Sequence, residues 1–270
     1  MLKGYGKEFM KDLIKAQLYQ ILRSKPFYYI IFGIMAFQGL DIIGSINGDG
    51  ITSISMYIVQ YCGTAFTTSA IAACLVAVYI VGGDINDKTA NYEILSGHTR
   101  REIFIAKAVL GVICGSIAYV LTIIIPICIG NMVVGYGDMV SIDDICVRMA
   151  LSTLVTIRII CAFICLTYII KNYLITMAVS VFYFMVLPVL CMYMEGANSL
   201  ILGLTSYNKL SDLVSWMTYT IDANVNIQEI IIYDASVSAN VIIGVIASSV
   251  IATIIALIIG YSFFKRDDIR

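Results

Sequence analysis

Six long apolar runs separated by polar segments set the pattern of this chain, at roughly residues 27–46, 55–81, 106–130, 145–170, 173–194 and 238–264. Each reaches the roughly 20 residues that an α-helix, rising about 1.5 Å per residue, needs to cross a hydrocarbon core about 30 Å thick. Residues 1–25 read differently. Lys3, Lys7, Lys11 and Lys15 recur four apart, while Phe9, Met10, Leu13, Ile14, Leu18, Ile21 and Leu22 fill much of the remaining circumference. That suits an amphipathic helix lying in the headgroup layer, its lysines reaching anionic lipid. Pro26 marks the entry to the first span. In the second span the run CGTAFTTSAIAAC is dense in small residues, which lets another helix approach closely. Pro126 interrupts the third span near its far end, Lys171 and Asn172 make a very short turn between the fourth and fifth, and Pro188 lies close to the end of the fifth. The expected fold is an all-α integral membrane protein, one transmembrane domain over residues 1–270 with six transmembrane helices.

The polar segments carry more information than their lengths. A loop of about 2–5 residues can join two antiparallel helices, yet residues 82–107, GGDINDKTANYEILSGHTRREIFIAK, spend over twenty on the connection between the second and third spans. This is the only long charged segment between two strongly apolar ones, and it holds the single histidine, His98. It also reads as structured: Asp87 or Thr89 can cap a helix, Glu93 falls in its early turns, Gly97 is a stop, and Thr99 with Glu102 three residues on starts a second helix. A short helix across the membrane mouth is the simplest arrangement for 83–105. Such a loop either solvates a turn or serves as the handle by which a soluble partner grips the membrane domain. Residues 195–236 are apolar for a loop. Leu204, Leu210, Leu213, Val214 and Met217 form a helical stripe beside Tyr207, Trp216 and Tyr219, aromatics that favour the membrane interface. A pair of short re-entrant helices dipping into the outer leaflet, as a lid or outer gate, fits that pattern.

Composition agrees with the pattern. Hydrophobic residues are 60% of the chain and charged residues 13%, with a mean hydropathy of +0.92, against about 45–50% and 25% in soluble domains. A net charge of −1 and the lack of a basic stripe with interleaved aromatics give no surface for nucleic acid. With no small-residue cleavage site after the first apolar run, a removable signal peptide is not expected. All but Cys146 of the eight cysteines fall inside apolar runs, without CxxC or Cys/His clusters, and read as small buried hydrophobes with no zinc site and no disulfide framework; Cys161 and Cys165 share a helix face by spacing, but core packing is the simpler account.

Charge sets the orientation. With the N-terminus in the cytoplasm, inner segments hold Lys3, Lys7, Lys11, Lys15, Arg23 and Lys25, then Lys88, Arg100, Arg101 and Lys107, then Lys171, then Lys265, Arg266 and Arg270. That leaves only Arg148, Arg158 and Lys209 of the 17 basic residues elsewhere, so the positive-inside rule puts both termini and the 83–105 loop in the cytoplasm. Asp144, four residues before Arg148, offers it a helical ion pair at the outer surface, and Asp212 is three residues from Lys209. Arg158 falls near the middle of the fourth span, where insertion of an arginine costs about 2.5–3.5 kcal/mol. It must face protein or water, as a brace within the bundle or as part of a transport path, with Asp41 and Glu195 as candidate partners.

No catalytic set is present. HExxH and GxSxG are missing, the one histidine sits in a cytoplasmic loop, and Gly6-Lys7 is followed by Glu8, so no phosphate-cradling loop exists. The chain reads as no enzyme, with no cofactor and no metal.

At the 83–105 loop the residues resemble a family. Asp84, then Lys88-Thr89, Asn91, Leu95-Ser96-Gly97, Arg100, an aromatic at Phe104 and Lys107 opening the next span look like the cytoplasmic loop of type-two ABC transporter permeases, most similar to the Gram-positive branch associated with peptide-antibiotic immunity and export. The family pattern often has Gly-Thr where this chain has Lys88-Thr89. An N-terminal interfacial helix, six spans, both ends inside and re-entrant helices between spans five and six extend the resemblance to the whole chain in outline. It implies a permease subunit in the bacterial plasma membrane, acting as a homo- or heterodimer, each copy bound to a separate cytoplasmic ABC ATPase. Asp84, Asp87, Tyr92, Glu93, His98, Arg100 and Arg101 would form the ATPase-coupling face, Gly97 the break between helical turns, and Lys107 an anchor at the lipid boundary, although positive-inside anchoring alone accounts for some of the basic residues. Spans rich in Ile, Val, Met, Phe and Tyr favour a hydrophobic or amphipathic cargo. Two other readings stay open: a membrane scaffold or sensor without transport, and a secondary transporter, for which Arg158 and Asp41 are the ionisable groups on offer and no internal repeat is visible.

Overall fold

A computed structural model describes residues 2–48, 50–86, 93–95, 97, 99–138, 140–194, 217–218, 232–233 and 239–266. Among the described residues seven long helices follow in order: α1 (Leu2–Arg23), α2 (Lys25–Gly48), α3 (Ile54–Asn86), α4 (Arg100–Val134), α5 (Ile142–Ile170), α6 (Tyr173–Met194) and α7 (Ala239–Arg266). Among the described residues five stretches are helical, long and apolar enough to cross a membrane: Lys25–Gly48, Gly63–Gly83, Arg100–Val134, Ile142–Ile170 and Ile242–Lys265. The protein is an all-α, membrane-embedded one. Its outward faces say the same. On α4, Ile113, Ile117, Leu121 and Ile124 lie exposed at helical spacing, and on α7 Val250, Ile254 and Ile258 do likewise; stripes of this kind need hydrocarbon, not water, as solvent.

Helix α3 is the hub, packed against α2, α4, α5 and α6, while α7 rests chiefly on α5. Small residues make the hub possible. Ala70, Ala73, Cys74 and Ala77 of α3 are fully or almost fully enclosed, and α4 meets them with Gly111 and Gly115. A Cβ placed on Gly115 would lie 3.0 Å from the Ala73 carbonyl oxygen and 2.9 Å from Ile160 Cδ1. Close approach of backbones takes the place of the hydrophobic drive that is missing between helices in lipid. Gly115→Ala is therefore expected to lower stability by about 1–3 kcal/mol through overpacking, despite alanine's better helix propensity. Gly33→Ala, where an added Cβ meets nothing within 4 Å, should do the opposite. Thermal unfolding of the two purified variants reads the contrast, and equal midpoints would remove the close-approach account.

Buried polar groups join α2 to the hub. Gln38 Nε2 lies 2.7 Å from Ser69 Oγ and 2.8 Å from Thr68 Oγ1, and Tyr57 Oη donates to Asp41 Oδ2 at 2.7 Å. The helix boundaries of the sequence reading hold for α2, α5, α6 and α7 within a few residues, but α3 and α4 run well into the loop between them. Pro126 does not interrupt α4, which continues to Val134; membrane helices tolerate such prolines because neighbours re-satisfy the freed backbone. The Lys171-Asn172 turn is as short as expected. Lys171 adopts the left-handed conformation as the cap of α5, and Asn172 Oδ1 accepts from the backbone N–H of Leu174 at 3.0 Å to start α6. Of residues 195–236, Met217–Thr218 pair antiparallel with Ile232–Tyr233, so the expected helical stripe does not continue through Met217. The remainder of the expected re-entrant pair lies outside the described residues.

Candidate functional site

The described part of the long charged connection consists of the ends of its two flanking helices and one tight turn. At its far end Thr99 is extended (φ −76°, ψ 148°) and caps α4. Thr99 Oγ1 accepts from the Glu102 N–H at 3.3 Å, and Glu102 Oε2 accepts from the Thr99 N–H at 2.9 Å, the reciprocal box that the Thr-x-x-Glu spacing predicts. Before it, Glu93, Ile94 and Leu95 form a helical turn that ends at Gly97, whose φ of +97° only glycine adopts without strain. The Gly97 N–H closes the turn on the Ile94 carbonyl at 3.0 Å.

Three neighbouring residues of this turn point three ways. Glu93 faces inward: its Oε1 accepts from Gln17 Nε2 of α1 at 2.8 Å, and its Oε2 lies 3.3 Å from Lys107 Nζ of α4. Ile94 packs into an apolar cluster with Leu13 of α1, Ile103 of α4 and Phe264 of α7. Leu95 is 82% exposed. Beside this anchor Phe104 packs against the rings of Tyr168, Tyr261 and Phe264 at centroid distances of 5.2, 5.4 and 5.9 Å, and Arg100 Nη1 donates to the Lys265 carbonyl at the end of α7 at 2.9 Å. The turn is thereby tied to α1, α4 and α7 at once.

The expected site residues are distributed unevenly over this arrangement. Glu93 is an internal strut and does not belong to an outward face, and Arg100 is engaged with α7. Arg101 is exposed. Asp84 stands in the last turn of α3; Asp87, Tyr92 and His98 lie outside the described residues. Lys107 does not reach for the lipid boundary: it is 2% exposed and paired with Glu93. Two contributors escaped the sequence reading. Gln17 was not singled out, yet with Leu13 and Ile21 it forms the i, i+4, i+8 line that α1 buries against the bundle. Leu95 carried a signal in being apolar within a charged loop.

Deeper in the bundle, Arg158 of α5 is buried, 4% exposed, with no hydrogen-bond partner for Nε or Nη2. Tyr183 of α6 is close enough to interact with it electrostatically. Asp41 is not its partner, being occupied by Tyr57, and Glu195 lies outside the described residues. Arg148 is a second correction. It is buried, and Asp144 Oδ2 accepts from Ser141 Oγ at 2.7 Å. As the cap of α5, Ser141 holds Asp144 at the helix start, where the dipole favours a carboxylate. Among the described residues no group of His, Cys, Asp and Glu side chains could hold a metal ion.

No protein-family model matches this chain, and a search of curated proteins finds no match.

Proposed function

We propose that this chain is the membrane-spanning permease subunit of an ABC transporter, working as a dimer with a separate cytoplasmic ATPase and exporting a hydrophobic or amphipathic substrate such as a peptide antibiotic. In this reading α6 is the fifth of six spans, α1 lies in the headgroup layer, both termini are cytoplasmic and the membrane is the bacterial plasma membrane, as the lysine and arginine distribution favours. The observation that carries it is the Glu93–Gly97 turn, fastened to three helices on its inner side while presenting Leu95 and, nearby, Arg101 to solvent. An ATPase can change the membrane domain only through contacts that differ between its two states. A rigidly anchored turn with an exposed apolar tip supplies such a contact, since a leucine seated in a partner's groove is a natural anchor for binding. ATP hydrolysis resides in the partner.

The test is co-expression of tagged protein with its genomic neighbours, comparing wild type with Leu95→Glu/Arg101→Glu. An ATPase should co-purify with wild type, and its retention by the double variant should fall by about tenfold or more, the equivalent of about 1.4 kcal/mol. If no ATPase ever co-purifies, the ABC assignment fails. The buried Arg158 would then favour the second reading, an ion-coupled secondary transporter, because unpaired intramembrane charges mark ion pathways.

A further inference from the structure

Between the second halves of α2 and α4, at the end of α4 farthest from the charged turn, lies a cavity of about 130 Å³. Its floor is buried and consists of Ile42 from α2 with Pro126 and Gly130 from α4. Its rim is formed by Ile43, Ile129 and Val133, all exposed. The cavity therefore opens sideways onto the outward apolar faces that need hydrocarbon as solvent. Gly39 accounts for the space: it stands in the wall, and an added Cβ there would meet nothing within 4 Å. Among the described residues that wall the cavity, none carries a polar side chain. Water has nothing to hold it here, since an enclosed water needs about 2–4 polar partners. Nor is an empty space favourable. Helices in lipid associate through close contact, and a void at their seam forfeits those contacts. An apolar cavity of about 150 Å³ takes up benzene, so this one has room for about five or six carbons.

We propose that this cavity holds one acyl chain of a membrane lipid, entering sideways from the bilayer and resident in the α2–α4 seam. The chain is recognised by fit to an apolar wall, so the headgroup plays no part in its selection. Its place in the fold gives it a structural task. On the α3 side α2 is tied by Gln38 to Thr68 and Ser69, and by Asp41 to Tyr57. On the α4 side the acyl chain supplies the contacts that Gly39 does not. Chain binding does not need the permease reading, and failure of an ATPase to co-purify would leave it standing.

The experiment is photolabelling of the purified full chain with phosphatidylcholine that carries a diazirine midway along one acyl chain. The lipid is loaded in detergent micelles, loosely held lipid is washed out with lipid-free detergent, and the sample is irradiated before and after the wash. Adducts on residues 35–46 and 125–133 should survive the wash about fivefold better than those on Ile254 and Ile258 of α7, the scale that close-fitting dispersion contacts add over fluid lipid. Gly39→Leu, which fills the cavity, should abolish that difference and leave labelling of α7 unchanged. If Gly39→Leu fails to fold, Gly39→Ala should reduce the difference, whereas Gly33→Leu, off the cavity wall, should not. Phosphatidylglycerol with the same labelled chain should behave as phosphatidylcholine does. Equal loss from the seam and from α7 overturns the proposal, because it reduces the seam to ordinary lipid contact. A difference untouched by both Gly39 variants overturns it too, as does a dependence on headgroup. A seam that takes no label even before the wash would mean that protein covers it, either another segment of the chain or a second copy, and would overturn the lipid assignment.

Discussion

Lys107→Met is expected to destabilise the protein by about 3 kcal/mol, because it takes the cation away from the Glu93 carboxylate, and breaking a buried pair by removing one partner costs about 3–5 kcal/mol. The lower end applies, since the Glu93 side chain keeps 19% of its surface accessible. Glu93→Gln should cost less, as the glutamine carbonyl can still accept from Gln17. In the double variant Lys107→Met/Glu93→Gln the apolar methionine faces a neutral amide, and much of the loss should be recovered. The four unfolding free energies form a double-mutant cycle with an expected coupling of about 1–2 kcal/mol. Additivity within about 0.5 kcal/mol would show that the two groups do not depend on each other. The consequence reaches the turn itself: without the strut, proteolysis between Asn86 and Arg100 should accelerate in Lys107→Met and not in the double variant.

Arg158→Met should act with the opposite sign on stability. The guanidinium is buried, with two of its nitrogens unsatisfied, and central arginines cost about 2.5–3.5 kcal/mol on insertion scales. An unbranched apolar side chain fills similar volume without that demand. A stabilisation of about 1–3 kcal/mol is expected in detergent, read as the rise in the temperature at which the enclosed Cys74 and Cys161 become reactive to a thiol dye. A group kept at such a cost is kept for use. Under the permease reading the same variant loses export while retaining its ATPase, which separates the pathway residue from the coupling turn. A destabilised Arg158→Met would instead make the arginine a structural brace with an acceptor supplied from elsewhere, Glu195 or a second copy of the chain.

How much of this was legible beforehand follows from what each signal encodes. The capping box at Thr99 and Glu102, the stop at Gly97 and the turn at Lys171-Asn172 are local, satisfied by atoms a few residues apart, so sequence spacing suffices. The alanine-rich stretch of α3 was legible for a related reason, since a small side chain limits contact distance whichever helix comes to meet it. Partners were not. Asp144 sits at favourable spacing for Arg148, yet it serves the start of α5 with Ser141, and Arg148 is buried. Asp41 was offered to Arg158 as a candidate partner, and the Tyr57 hydroxyl donates to it instead. Lys107 looked like a lipid-facing anchor by its place at the end of an apolar run, although placement along a helix does not give its rotation about the axis.

The sequence by itself determined the class of molecule, the positions of its helices and the presence of a structured charged turn, because hydrophobicity, helix length and capping are properties of neighbouring residues. Only the tertiary structure decided which way the turn faces. Glu93 and Ile94 are drawn inward because α1 brings Gln17 and Leu13, and α4 brings Lys107 and Ile103, to the same place from positions far before the turn and shortly after it in the chain. Leu95 is left outside because the inward positions on a single helical turn are already taken.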